Sequence, residues 1–209
     1  MRWIIRTLAV LSVVSWIVVA GLFARPVVSS ETPVSRMRET PVAAKSLPLD
    51  WSGRVLAGSP AVFPGSSPQQ AEAVVPIVER YARRFQLDPL MVLAVIQVES
   101  RFDPAAVSAQ GAIGLMQLQG PTARDLAMEL GLEWTGDDLL FDPDLNVLLG
   151  CAYLRRLMDR FGDQDAALAA YCSGPTLVEA RRDANGRIPL GYSDRVWDVL
   201  TALQRKVSA

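Results

Sequence analysis

The sequence predicts an all-α domain, and three observations lead to this fold class. Apolar residues recur with helical spacing between recognisable helix starts and stops. The starts are Ser, Asp or Gly followed by Pro, and the stops are Gly. No segment alternates between apolar and polar residues for long enough to form paired strands. The tight-turn pair at residues 185–186 has polar flanks, so we expect a loop there.

The predicted helices follow one another through residues 69–209. Ser67 and Pro68 begin the first, in which the interior Pro76 should introduce a kink. Asp88 and Pro89 begin the second, which is apolar on nearly all sides and should therefore be buried. The remaining starts and stops are Gly120-Pro121 to Gly131, Asp142-Pro143 to Gly162, Asp163 to Cys172, Pro175 to Arg182, and Tyr192 to Val207.

Residues 1–24 have the composition of a targeting segment. Arg2 and Arg6 precede an uncharged apolar run over residues 7–24. That length suffices for a membrane-spanning helix, which needs about 17–25 residues. Residues 22–24 are a poor cleavage site, so we favour an uncleaved anchor over a signal peptide. Both interpretations predict export to the periplasm or cell envelope, and the anchor would make the cytoplasmic membrane a partner.

Residues 25–68 predict a linker, because they are rich in Pro and Ser and have no helical periodicity. The exception is a group of apolar residues that could dock on the domain. A short strand or a partner-binding peptide is the alternative, and we favour an unpacked linker. The apolar group consists of Trp51, Val55, Leu56, Val62 and Phe63.

Charge and residue inventory exclude several function classes. Residues 69–209 contain 14 Lys and Arg against 19 Asp and Glu, so the domain is not expected to bind nucleic acid. The chain has no histidine, which excludes Ser-His-Asp triads, Cys-His pairs and the usual zinc sites. The acidic residues match no calcium loop. We therefore expect carboxyl chemistry without a metal or cofactor.

Glu99 is the candidate acid. It follows the apolar run of the second helix, and Asp103-Pro104 disfavours further helix, so Glu99 should lie in the last turn. The negative end of the helix dipole and apolar neighbours both disfavour ionisation, so the pKa of Glu99 should rise. A carboxyl that stays protonated near neutral pH can act as a general acid. The alternative is an ordinary solvated Glu at a helix end.

The residues around Glu99 form a longer pattern that resembles the soluble lytic transglycosylase family. The resemblance covers about residues 70–200 and implies a compact, helical, lysozyme-like domain of the α+β lysozyme-like superfamily. The matching residues are Glu99, Ser100, Phe102, Pro104, Ser108, Gly111, Ala112, Gly114, Leu115, Met116 and Gln117, then Asp142-Pro143, Asn146, Gly150, Tyr153-Leu154, Ala169-Ala170-Tyr171, Gly174-Pro175, Tyr192 and Val196.

The resemblance implies a peptidoglycan lytic transglycosylase whose partner is the glycan strand. Glu99 would protonate the β-1,4 glycosidic oxygen between N-acetylmuramic acid and N-acetylglucosamine. As a carboxylate it would then take the C6 hydroxyl proton, so that a 1,6-anhydromuramic end forms. Two alternatives remain open. One is a hydrolytic muramidase of the same fold, and the other is a non-catalytic peptidoglycan-binding protein of the envelope.

Position within the family pattern also implies substrate-binding residues. Ser108 should hydrogen-bond near the catalytic carboxyl or the acetamido group, and Gln117 should line the sugar cleft. Tyr171 should direct its hydroxyl at the catalytic carboxyl or at the developing charge, and Tyr192 is a further cleft candidate. Gln119 departs from the family pattern and would place a polar side chain at the cleft wall. Met116 is equally compatible with the core and the cleft.

The two cysteines suggest a disulfide. Cys151 precedes the Gly162 turn and Cys172 follows it at nearly the same distance, so the two are level in an antiparallel helix pair. An exported protein meets oxidising conditions, and a bond over this span would stabilise by about 3 kcal/mol. Two free thiols are the alternative, because both Cβ atoms must also face each other. Cys172 also replaces the Asn of the family pattern.

Overall fold

The computed structural model describes residues 47, 50–57, 63–184 and 186–208, and within them the fold is helical with no named strand. The predicted all-α class is confirmed. The helices are α1 (Trp51–Ala57), α2 (Pro68–Arg84), α3 (Pro89–Glu99), α4 (Gly120–Glu129), a 3₁₀ helix (Asp137–Phe141), α5 (Pro143–Phe161), α6 (Gln164–Ser173), α7 (Pro175–Asp183) and α8 (Gly191–Ser208).

The helix starts follow from the local sequence. Ser67 and Gln70 form a capping box at α2, and the Asp88 side chain accepts the Leu90 backbone N–H at α3. Asp142 caps α5 and Asp163 caps α6 in the same way. These contacts satisfy backbone donors that the first helical turn leaves unpaired. Local N-cap hydrogen bonds thus determine where these helices begin.

α3 is the central helix of the domain. All of its residues from Leu90 to Gln97 are buried, as its apolar composition predicts. It packs against α2 and, most extensively, against α8. Each fully buried Leu, Ile, Val or Met side chain contributes about 1.5–3 kcal/mol relative to exposure. Because the core encloses α3 on all sides, the C-terminal end of α3 is held in a fixed position.

Part of the predicted linker packs on the domain. Trp51 and Val55 of α1 are buried, and the Arg54 Nη1 donates to the Val207 carbonyl of α8 at 2.8 Å. Phe63 is fully buried. The preference for an unpacked linker is therefore wrong for these residues, because their apolar side chains are covered by the helical core.

The predicted targeting segment, residues 1–24, lies outside the described residues, as does most of the predicted linker. No helix in the part of the chain that the structure describes is long and apolar enough to cross a membrane.

Candidate active site

Glu99 is the last residue of α3, as the sequence predicts. Its side chain is half-buried at the point where the apolar helix ends. Burial raises the pKa of Glu99, while a hydrogen bond from Tyr192 and the charge of Arg195 act in the opposite direction. Burial outweighs both, so the direction matches the sequence-based expectation. The carboxyl can therefore carry a proton at a pH where an exposed Glu is ionised.

Tyr192 is the direct partner of Glu99. It lies in the first turn of α8, the helix that packs most extensively against α3, and its hydroxyl donates to Glu99 Oε1 at 2.6 Å. Burial, followed by the nearby Glu99 charge, raises the pKa of Tyr192 well above its usual range. The Arg195 guanidinium lies 5.6 Å from the Tyr192 ring centroid. The phenol therefore remains a hydrogen-bond donor toward the carboxyl.

Tyr171 lies beside Tyr192 but makes no hydrogen bond to Glu99. Its hydroxyl donates to the Met116 carbonyl at 2.7 Å rather than to Glu99. The ring is buried and lies parallel to Tyr192, with centroids 6.4 Å apart and an interplanar angle of 14°. Of the two predicted targets, the carboxyl is not the partner, because the hydroxyl pairs with a loop carbonyl; a role of Tyr171 at the developing charge stays a prediction. Tyr171 instead supports Tyr192 from the side.

The polar residues predicted for the cleft hold the loop between α3 and α4. The Ser108 hydroxyl accepts the Ala112 backbone N–H at 3.0 Å, and this contact closes a turn. Gln117 Nε2 donates to the Ala106 and Gly114 carbonyls at 3.1 and 3.0 Å. These bonds join each side chain to the loop itself rather than to Glu99. Contact of Ser108 and Gln117 with a sugar stays a prediction.

Gln119 lies at the end of the same loop. Its side chain is exposed, and its amide donates to the Gln110 carbonyl at 3.3 Å. The loop itself contains isolated antiparallel bridges, in which Ile113 pairs with Val107 and with Leu118. Gln119 thus lies beside a small folded turn, where its polar group is accessible to a ligand. A role in sugar binding stays a prediction.

Asn146 fastens this loop to α5, and sequence reasoning assigned it no role. Its Oδ1 accepts the Met116 backbone N–H at 2.8 Å, and its Nδ2 donates to the Ile113 and Leu140 carbonyls, both at 2.9 Å. The side chain is fully buried. Its place in the family pattern was the available signal, but spacing alone does not reveal three hydrogen bonds, two of them to residues 30 or more positions away.

Met116 belongs to the core. It is fully buried, and a Cβ added at Gly150 of α5 would collide with its side chain. Gly150 therefore allows the loop to approach α5 closely. Of the two interpretations of Met116, core and cleft, the structure supports the core.

The Cys151–Cys172 disulfide is not formed, and both cysteines are free. Cys151 is buried on the core side of α5, whereas Cys172 is exposed on α6. One thiol is thus enclosed by the core and the other is exposed, and the direction of each Cβ atom is a geometric condition that spacing along the sequence cannot test.

We expect the two thiols to differ strongly in reactivity. Burial raises the pKa of both thiols, and Cys151 is completely enclosed. An alkylating reagent should modify only Cys172 in the folded, non-reduced protein, and both cysteines after denaturation without a reductant. Mass spectrometry of the two samples measures this. If neither thiol is modified in the denatured, non-reduced sample, the two cysteines form a disulfide and the free-thiol structure is contradicted.

The site offers proton-transfer chemistry from a single carboxyl. Among the described residues, no group of three or more His, Cys, Asp or Glu could hold a metal ion. Asp103, the nearest acidic residue along the chain, is exposed and accepts the Ala105 backbone N–H at 2.9 Å. The arrangement is thus one protonatable acid with a phenol donor, at the end of a rigid helix.

The sequence that surrounds this site matches a known protein family. The profile of the transglycosylase SLT domain covers residues 76–188, which is more than half of the chain and includes Glu99. The chain belongs to the transglycosylase SLT domain family. Tyr192 lies just beyond the matched SLT residues, and the segment before α2 lies ahead of them.

Relatives of the SLT domain include named transglycosylases. A membrane-bound lytic murein transglycosylase C from Histophilus somni is 33% identical over 149 residues, covering 64% of this chain and 41% of the relative. A transglycosylase from Enterobacteria phage PRD1 is 41% identical over 91 residues, covering 44% of this chain and 31% of the relative. The chain thus spans less than half the length of these curated relatives.

Solved structures share the fold of the SLT domain. An inactive glutamate-to-glutamine mutant of the lytic transglycosylase Slt from Pseudomonas aeruginosa superposes with a TM-score of 0.57 at 26% identity, covering 64% of this chain and 24% of that one. The 70-kDa soluble lytic transglycosylase from Escherichia coli gives a TM-score of 0.52 at 25% identity, covering 63% of this chain and 23% of that one.

Proposed function

We propose that this protein is a peptidoglycan lytic transglycosylase with Glu99 as its acid and then its base. The hydrogen bond from Tyr192 to the half-buried Glu99 is the observation that carries the proposal. It places a protonatable carboxyl with a fixed donor inside a domain of the SLT family. The names of the relatives supply the substrate class, because they describe enzymes that act on murein.

The first step is a proton transfer. Protonated Glu99 donates to the glycosidic oxygen, the bond from that oxygen to C1 of N-acetylmuramic acid breaks, and the next sugar leaves with a free hydroxyl. Positive charge develops at C1, where the substrate's own 2-acetamido oxygen can support it, as in substrate-assisted glycosidases. The Tyr192 hydroxyl then stabilises the Glu99 carboxylate that has formed.

The second step closes the ring. The Glu99 carboxylate takes the proton of the C6 hydroxyl, and the C6 oxygen bonds to C1. A 1,6-anhydro sugar results, no water is consumed, and Glu99 regains its proton. Glycosidases usually place two carboxyl groups across the bond. The exposed position of Asp103 supports a mechanism in which this chain supplies one carboxyl and the substrate supplies the second group.

An envelope location follows from the same proposal, since murein lies outside the cytoplasmic membrane. The curated relative from Histophilus somni is named as membrane-bound. The apolar residues 7–24, preceded by Arg2 and Arg6, would anchor this chain so that the SLT domain faces the murein.

Digestion of purified peptidoglycan sacculi tests the reaction. The full-length chain in mild detergent and its Glu99→Gln variant are each incubated with sacculi, and the released muropeptides are identified by mass spectrometry. Ends one water lighter than reducing sugars, absent with Glu99→Gln, are the expected result. Reducing ends would make the protein a hydrolytic muramidase. Binding without release would make it a non-catalytic peptidoglycan-binding protein.

We expect Tyr192→Phe to shift the pH profile of the reaction. The Tyr192 hydrogen bond lowers the pKa of Glu99, so its removal should raise that pKa further. The limb on which activity falls as Glu99 ionises should therefore move to higher pH, and kcat should drop about 10-fold or more. Rates measured from pH 4 to 9 on soluble glycan strands report both effects.

Tyr171→Phe is the matched control for Tyr192→Phe. It also removes one phenol hydroxyl, but that hydroxyl donates to the Met116 carbonyl rather than to Glu99. In Tyr171→Phe, the pH at which activity falls as Glu99 ionises should not change. The free energy of unfolding should fall by about 1 kcal/mol. Equal pH shifts in the two variants would show that the Tyr192 hydrogen bond does not control Glu99.

A further inference from the structure

The turn that follows Glu99 has an unusual backbone. Arg101 and Phe102 have φ angles of 54° and 66°, so two consecutive non-glycine residues are left-handed. Each such residue costs about 1–3 kcal/mol and persists only where its surroundings hold it. The turn begins at Ser100, whose hydroxyl donates to the Leu115 carbonyl at 2.8 Å. Whatever stabilises this turn therefore also fixes the end of α3 that carries Glu99.

Phe102 is held in place by a residue from the N-terminal side of α2. The Phe102 side chain is fully buried, and its ring centroid lies 4.5 Å from that of Phe63, which is also fully buried. The rings are tilted by 57°, a favourable arrangement for two aromatic side chains. Phe63 thus packs directly on the side chain of a left-handed residue of the turn.

The next two residues contact the same region. Gln97 Nε2, in the last turn of α3, donates to the Pro64 carbonyl at 3.0 Å. A Cβ added at Gly65 would lie 3.3 Å from Arg101 Cδ, so the side chain of Arg101 lies against the backbone of Gly65. We call residues 63–66 the N-terminal brace. It contacts α3 just before Glu99 and the turn just after it.

The brace follows α1 in the sequence, and α1 contacts α8, the helix that carries Tyr192. α1 packs against α8, and its Arg54 donates to the Val207 carbonyl near the end of that helix. α8 carries Tyr192 in its first turn. The residues ahead of α2 therefore contact both elements that supply the Glu99–Tyr192 hydrogen bond. All of them lie outside residues 76–188, the part that matches the SLT family.

We propose that the N-terminal brace is a positioning element of the active site, with Phe63 as its central residue. By holding Phe102 in its left-handed conformation, Phe63 keeps the Glu99 carboxyl on the Tyr192 hydroxyl and aimed at the scissile oxygen. This inference rests on the proposed function for its effect on turnover. The effect on the Glu99 carboxyl itself is independent of substrate. Loss of the brace should therefore impair the site in an otherwise folded domain.

Phe63→Ala in the full-length chain tests this proposal, with Phe85→Ala as its matched control. Phe85 is buried almost as completely as Phe63. It follows directly after α2 and precedes the start of α3, whereas Glu99 is at the end of α3. α3 has 11 residues and is therefore about 16 Å long, so its two ends are well separated. Phe63→Leu keeps most of the apolar contact, so it covers the case in which Phe63→Ala does not fold.

Two measurements separate positioning from general stability. Turnover of soluble glycan strands, at a temperature where circular dichroism shows all variants folded, should give a kcat about 10- to 100-fold lower for Phe63→Ala with a nearly unchanged KM. Phe63→Leu should recover most of the kcat, and Phe85→Ala should keep it. Carbon-13 NMR titration should show the pKa of Glu99 falling toward its ordinary value in Phe63→Ala only, because water then reaches the carboxyl.

The outcomes distinguish this proposal from the proposed function. If the unsubstituted chain does not cleave glycan, the proposed function fails, while the Glu99 titration still decides the positioning role. A Phe63→Ala protein with unchanged kcat and an unchanged Glu99 titration would overturn the proposal. So would a Phe85→Ala protein that loses as much kcat at the same folded fraction, since the effect would then be one of general stability.

Discussion

Replacing Glu99 with glutamine is expected to abolish turnover and to raise the melting temperature at neutral pH. The activity falls because an amide can neither donate the acid proton nor take it back. General acid-base groups contribute about 10²–10⁴-fold, and here one residue serves both steps, so the loss should reach at least 10³-fold. The Gln amide oxygen can still accept the Tyr192 hydrogen bond.

The stability gain follows from the direction of the pKa shift. Burial raises the folded-state pKa of Glu99 above its ordinary value of 4.5, so the folded protein holds this proton more tightly than the unfolded chain does. The stability from the protonated carboxyl is complete below pH 4.5 and is lost as the pH rises through the folded-state pKa. Above that pKa, the folded protein contains an ionised Glu99 carboxylate that is half-buried. Glutamine removes that charge and should restore the lost stability.

Melting temperatures of both proteins between pH 3 and pH 8 measure this effect. The Glu99→Gln protein should match the unsubstituted one at the acidic end and exceed it increasingly as the pH rises. Glu79→Gln is the matched control, because Glu79 lies on an exposed face of α2, where it pairs with Arg83 at 3.2 Å. It should change neither activity nor the pH dependence. A Glu99→Gln protein less stable at pH 8 would contradict the inferred burial of the charge.

The helix containing the acid could be predicted because its signals are local. Asp88 and Pro89 mark its start, an unbroken apolar run marks its burial, and Asp103-Pro104 limits its end. Each of those signals depends only on residues a few positions apart, so it can be recognised without knowledge of the tertiary structure. They also sufficed for the direction of the Glu99 pKa, since burial of the helix desolvates its last residue.

The partner of the acid could not be predicted in the same way. Both Tyr171 and Tyr192 lie on helices far along the chain, and helix rotation decides which hydroxyl reaches Glu99. Rotation is set by packing between α3, α6 and α8, which no local pattern records. The same reason applies to the cysteines, because their spacing does not reveal that Cys151 is buried and Cys172 exposed.

The packing of α1 and the brace was also beyond local reasoning. Trp51, Val55 and Phe63 are few apolar residues among many Pro and Ser, so composition favoured a linker. Their burial depends on surface offered by α2, α3 and α8. A short helix of this kind has little stability by itself and forms because it packs.

Asn146→Ala is expected to lower the free energy of unfolding strongly, because it removes a buried hydrogen-bonding side chain. Its side chain satisfies the Met116 N–H and the Ile113 and Leu140 carbonyls, all within 2.9 Å. Alanine leaves the Met116 N–H and the Leu140 carbonyl without this partner, whereas the Ile113 carbonyl still accepts the Leu118 backbone N–H at 3.1 Å. Each buried unpaired group costs about 1–3 kcal/mol. A loss of about 2 kcal/mol or more would be a large part of the 5–15 kcal/mol that stabilises a typical domain.

Urea unfolding of Asn146→Ala measures that loss as a lower midpoint with an unchanged slope. Ser193→Ala is the graded control, because Ser193 is equally buried but makes one such bond, from its hydroxyl to the Leu190 carbonyl at 2.8 Å. It should cost only about 1 kcal/mol. Equal losses in the two variants would mean that the loop between α3 and α4 is held by its own turns, and that the Asn146 contacts do not fasten it to α5.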